Sequence, residues 1–106
     1  MANVYKNAKL DLTTTNVTTL YTCPAAKTAV FKSILVSEDS GNADTVTATI
    51  TVGSTIFSLF KVKAVGANTT VELLTQPLVM NEAEILKFNA ATANRLHVVA
   101  SYLEIS

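Results

Sequence analysis

Residues 45–52 read Thr-Val-Thr-Ala-Thr-Ile-Thr-Val, a strict alternation that puts Val46, Ala48, Ile50 and Val52 on one face and four threonines on the other. In a helix, neighbouring members of the apolar set would fall about 200° apart and could not share a buried stripe. The stretch is therefore a strand with one dry face. Gly53-Ser54 follows at once, and a second run of β-formers begins at Thr55. Two residues between alternating runs, glycine first, mark a tight hairpin whose first turn residue needs a positive φ. Threonine, with its branched β-carbon, recurs along the whole chain and favours the pleated sheet.

Working outward from this hairpin, the same pattern predicts strands over residues 4–12, 16–22, 28–37, 45–52, 55–65, 69–74, 84–90 and 96–105, about eight in all. Turn-forming clusters separate them, notably Cys23-Pro24, the polar run from Glu38 to Asp44, Gly66-Ala67-Asn68 and Thr92-Ala93-Asn94. Residues 77–84 have room for one helical turn, and no segment carries an apolar stripe over three turns. A length of 106 residues fits one domain, residues 1–106. The expectation is an all-β, antiparallel β-sandwich or jelly-roll-like fold.

Eight Lys/Arg balance eight Asp/Glu, which argues against a duplex DNA partner, since that surface needs an excess of phosphate-facing cations. Charged residues make up only 15% of the chain, well under the roughly 25% of an ordinary soluble domain, while hydrophobic residues reach 49%. Such an exterior is expected to be covered in part by neighbouring subunits. The opening MANVYKNAKLDL has no apolar stretch of signal-peptide type, and no eighteen apolar residues run together. The reading expects neither export nor a membrane partner. Cys23 is the single cysteine, so it has no partner for an intrachain disulfide.

Catalytic signatures do not emerge. His97, the single histidine, lies between leucine and valine on the last strand, and no nucleophile-elbow, phosphate-loop or zinc-protease motif accompanies it. The expectation is a non-enzymatic chain with no catalytic residue, no cofactor and no assigned metal site. Glu38, Asp39, Asn42 and Asp44 share a loop whose spacing lacks the EF-hand rhythm, and whether it binds an ion stays open. Glu82 and Glu84 read as a turn that guards an apolar strand, and Lys61 and Lys63 as edge-strand lysines that block illicit pairing. A glycan platform would want exposed aromatics, but the chain has no tryptophan and three tyrosines. An ice-binding surface would want the threonine ladder repeated on neighbouring strands.

Two strands are apolar on both faces. In 96–105, Leu96, Val98, Ala100 and Tyr102 oppose His97, Val99, Leu103 and Ile105; in 28–37, Val30, Ile34 and Val36 oppose Ala29, Phe31 and Leu35. A two-layer sandwich needs one dry face per strand, so the second face is expected at a subunit contact. Val99, Leu103, Ile105, Phe31 and Leu35 are the candidate contact residues, and a homo-oligomer, a trimer or larger ring, is the expected state.

The wording of the chain adds a resemblance. Residues 12–52 carry a threonine-rich lead-in, the turn TLYTCPAAKTA, an apolar strand and the polar turn SEDSGNAD; residues 69–106 carry QPLV, an acidic turn, ILKF and a closing SYLEI. This pattern resembles small structural proteins of tailed bacteriophages, with Cys23 standing where a small apolar residue is more usual. The resemblance implies a β-sandwich virion protein, made in the host cytoplasm, that decorates or cements the capsid, with the neck, collar or tail as the alternative position. Its partners would be further copies of itself and the major capsid or another virion protein. A β-sandwich binding module for a glycan or ice surface is the competing class.

Overall fold

The computed structural model describes residues 3–106. Among these residues nine strands and no helix are formed: β1 (Asn3–Leu12), β2 (Thr18–Thr22), β3 (Thr28–Glu38), β4 (Asp44–Val52), β5 (Thr55–Val65), β6 (Thr70–Glu72), β7 (Leu78–Met80), β8 (Ile85–Ala90) and β9 (Leu96–Ile105). They make two antiparallel sheets, one in the order β1-β9-β3-β6 with β7 also on β3, the other in the order β2-β8-β4-β5. The pairing is nested: β4 with β5, β3 with β6 and β7, β2 with β8, β1 with β9. This nested ribbon then closes on itself through β3–β9 and β4–β8. It is the jelly-roll form of the β-sandwich.

At the centre of the nest, Val52 pairs with Thr55 across Gly53-Ser54, and Gly53 has φ 61°, the conformation that the glycine-first hairpin requires. Val46, Ala48 and Ile50 are buried, as the alternation predicts, whereas Val52, beside the turn, is 39% exposed. Opposite them lies the inner face of β3 and β9, where Phe31, Ile34, Val36, Leu96, Val98 and Ala100 close the core. Tyr21, Phe31 and Tyr102 pack together, Phe31 stacking on Tyr102 at 4.8 Å between ring centres and Tyr21 meeting Phe31 edge-on at 5.4 Å.

Two expectations change. Residues 77–84 hold the three-residue strand β7 and a turn in place of a helical turn, because Ala29, Val30 and Phe31 of β3 offer a free edge that Leu78–Met80 fills. More consequentially, β3 carries a bulge: Phe31 pairs with Tyr102 and Ser33 with Ser101, leaving Lys32 as an extra residue. The extra residue shifts the phase of the strand. Ala29 and Phe31 before it, and Ile34 and Val36 after it, therefore all point inward. Glu72 holds the bulge in place, its carboxylate accepting from the Ser33 hydroxyl, from Ile34 N at 2.7 Å and from Leu74 N at 3.2 Å.

Candidate interaction face

The outer face of the β1-β9-β3 sheet is set by register. Tyr5 pairs with Leu103, Leu103 with Val30 and Val30 with Val79, so one row of four strands is apolar from edge to edge. Two residues along, Asn7 pairs with Ser101 and Ser101 with Ser33, a row of small polar groups. The next row reads Lys9, Val99, Leu35, Glu72, and the last reads Asp11, His97, Ser37, Thr70. Ile105 stands at the other end, between Asn3 and Thr28. Val99 and Leu35 are each 38% exposed, Val79 54% and Tyr5 76%, while Leu103, Ile105 and Val30 are half-buried. A contiguous apolar band of this kind, bordered by polar rows, is the surface pattern of an interaction site.

Four of the five candidate contact residues thus meet on one face: Val99, Leu103, Ile105 and Leu35. Phe31 is a correction. It is fully buried within the aromatic trio, because the Lys32 bulge reverses the phase on which it was paired with Leu35. Sequence reasoning missed Tyr5, Val30 and Val79, which join the band only through register; the alternation of polar residues 3, 5, 7, 9 and 11 against Val4, Ala8, Leu10 and Leu12 was the available signal for β1. A shallow depression of about 410 Å³ crosses the face near the small polar row, lined by Tyr5, Lys6, Asn7, Lys32, Ser101 and Tyr102. A smaller cleft of about 240 Å³ lies between β5 and the β6–β7 loop, with Leu59, Phe60, Leu73 and Leu74 in its walls.

His97 lies on this face with Asp11 Oδ1 3.3 Å from Nε2 and Asp39 Oδ1 3.7 Å from Nδ1. Ser37 is its ladder neighbour, yet the Ser37 hydroxyl bonds Thr70 Oγ1 at 3.1 Å. Both ring nitrogens face carboxylates, so neither is directed at the serine. The arrangement holds the imidazole without activating a nucleophile.

The acidic groups elsewhere are used to tie loops. Glu38, buried at one end of the sandwich, accepts from the Ser40 hydroxyl and from the amides of Ser40 at 2.8 Å, Gly41 at 3.0 Å, Asn42 at 3.1 Å and Asn68 at 3.1 Å. Burial by itself would raise its pKa, but these donors favour the carboxylate strongly enough to bring it down to about 2. The 38–44 loop is thus neither an oxygen cage nor a plain solvated turn, since Glu38 turns inward onto amide donors. Among the described residues no three His, Cys, Asp or Glu side chains gather as a metal site. At the opposite end, Glu104 is buried and bonded to Lys6 Nζ at 3.0 Å, Tyr21 Oη at 2.8 Å and Lys27 Nζ at 3.3 Å. Lys6 and Tyr21 are the main reasons that its pKa falls to about 2. Glu82 accepts from Ala26 N at 2.7 Å and Glu84 from Asn81 N at 2.8 Å, both shaping turns. Cys23 is a buried free thiol beside the carbonyls of Lys27 and Met80.

On the second sheet, Thr45, Thr47 and Thr49 are half-buried and Thr51 is buried, and their neighbours on β8 are Asn89, Lys87 and Ile85. The ladder is confined to one strand. Lys61 and Lys63 are exposed on β5, a free edge interrupted by two bulges. Among the described residues no helix is long and apolar enough to cross a membrane. The chain matches no protein-family model and no curated protein.

Proposed function

We propose that this chain is a non-enzymatic structural protein of a tailed-bacteriophage virion, a capsid decoration or cement protein in the first instance, with a neck, collar or tail position as the alternative. The observation that carries the proposal is the apolar band Tyr5-Leu103-Val30-Val79, with Val99 and Leu35 beyond one row of small polar groups, on the outside of a small jelly roll. A monomer gains nothing from that band, whereas a chain built into a many-copy array buries it against neighbours. The low charge of the chain agrees with such a role. Jelly rolls serve in capsids and also in lectins, so the fold is an analogy and the face is the argument. The phage-like wording of residues 12–52 and 69–106 supplies the setting. Its partners are then other copies of itself and the major capsid or another virion protein, with no nucleic acid, membrane or cofactor involved.

The test is to mix the purified protein with particles lacking it and reconstruct the result. Density at stoichiometric, symmetry-related sites on the shell supports decoration. Density confined to the portal vertex or tail moves it to the alternative, and failure to bind any part of the particle overturns the virion reading.

A further inference from the structure

We propose that the outer face of the β1-β9-β3 sheet pairs with the same face of a second copy about a two-fold axis parallel to the strands. The inference deepens the proposed self-assembly and rests on that reading only for its setting. Its argument is the order of residues within each row. A two-fold axis along the strands, between β9 and β3, keeps each row at its own height and reverses its order. Tyr5 then covers the partner's Val79, and Leu103 covers the partner's Val30. In the mixed row, Val99 covers the partner's Leu35 and Lys9 meets the partner's Glu72.

The charges decide between this and the other face-to-face solution. Among the described residues neither Lys9 nor Glu72 has an oppositely charged partner within its own copy. A two-fold axis across the strands would invert the heights, setting Lys9 on the partner's Tyr5 and Glu72 on the partner's Val79. Each charge would lose water with no opposite charge in return. The axis along the strands instead gives two identical Lys9–Glu72 contacts at the two ends of a row whose middle is Val99 and Leu35. Glu72 is also held in place beforehand by the bulge it braces, so little side-chain freedom is lost when it is met.

The area is adequate. Three strands about 34 Å long and two three-residue strands of about 10 Å, spaced about 4.8 Å, cover roughly 590 Å² per copy, or about 1,200 Å² in total, at the lower end of the range of stable interfaces. This pairing takes the place of the trimer or ring expected from strand faces alone, and leaves the threonine face of the other sheet for attachment to a particle.

The test is sedimentation at micromolar concentration on chains whose fold is verified by circular dichroism. Wild type is expected as a dimer. Lys9→Glu and Glu72→Lys should each weaken it by at least about tenfold, and their equimolar mixture should restore it, because both margins of the mixed pair carry opposite charges again. Since Glu72→Lys also strips the bulge of its brace, a second measurement avoids that residue: mildly oxidised Tyr5→Cys and Val79→Cys chains should form the mixed disulfide in excess over either like pair. A monomeric or trimeric wild type, a Lys9→Glu dimer of unchanged affinity, or random cross-linking overturns the two-fold pairing. A monomer that still binds particles would leave the virion reading intact, and a dimer that binds none would do the reverse.

Discussion

Tyr21 on β2 donates its hydroxyl to Glu104 on β9 over 2.8 Å, a buried bond that ties one sheet of the sandwich to the other. The same carboxylate takes Lys6 from β1 and Lys27 from the turn before β3, so three separate segments converge on one side chain of a fourth. Burial and this bond together hold the Tyr21 hydroxyl protonated far above the usual phenol range. Tyr21→Phe removes a donor from a charged acceptor and should cost about 1.5–3 kcal/mol, measured by urea denaturation at neutral pH.

Acid should unfold the protein in a defined window. Glu104 and Glu38 both titrate near 2 when folded, against an ordinary value of 4.5. A carboxyl depressed on folding contributes stability that is fully present above the unfolded value and is lost as pH falls through the folded one. The melting temperature should therefore be level from pH 7 to about 5 and fall steeply between about 4.5 and 2. Glu104→Gln should melt lower at pH 7 and show a shallower acid decline; an unchanged slope would mean that Glu104 is not the titrating group.

Glu38→Gln tests the loop clasp separately. The amide side chain has one uncharged oxygen for the four backbone N–H donors that the carboxylate divides between two charged ones, so the amides of Gly41, Asn42 and Asn68 should lose protection. Hydrogen exchange read residue by residue checks this, and the expected signature is fast exchange at those three positions while Val98 and Ile34 in the core stay slow.

Phe31 and Val99 separate folding from association. Phe31→Ala should cost about 3–5 kcal/mol, because a fully enclosed ring leaves a cavity. Val99→Asp, on the outer row, should cost less than about 1 kcal/mol of fold stability while reducing the fraction of associated protein seen by light scattering.

The free edge of β5 gives a fifth expectation. Residues 55–60, Thr-Ile-Phe-Ser-Leu-Phe, are uncharged and apolar, with Ile56 and Phe57 more than half exposed. Lys61 and Lys63 follow at once, and the bulge at Val62, whose N donates to Thr47 Oγ1 at 3.1 Å, twists the strand. Replacing both lysines by valine should shorten the time to turbidity at 37 °C, whereas replacing Phe57 by lysine should lengthen it.

Much of the fold was legible because local chemistry decides it. The Thr45 to Val52 alternation and the Gly53 turn specify the innermost hairpin without reference to anything distant, and the boundaries of β5 and β9 coincide with the pattern. The site was legible only in part. Val99, Leu103, Ile105 and Leu35 stand out as apolar residues that a two-layer sandwich does not need inside, but Phe31 reads the same way until Lys32 is known to be an extra residue. Nothing in Phe31-Lys32-Ser33 announces a bulge, since it exists through Glu72, some forty residues away in sequence. Glu38 and Glu104 were illegible for a similar reason: a carboxylate is tolerated in the interior only when donors from several segments reach it, and those segments meet only in the folded chain.

The position of β9 between β1 and β3 sets a schedule for the molecule. It follows all the other strands in chain order, yet two of them pair along its whole length. While the chain is being made, β1 has no ladder partner and the outer rows are not aligned. Closure then requires Ile105 to find Asn3 across nearly the whole sequence, a contact of the slow, non-local kind. The face proposed for self-pairing is therefore aligned only after β9 has been made, so nascent chains crowded on one message do not display it to one another before that strand is complete.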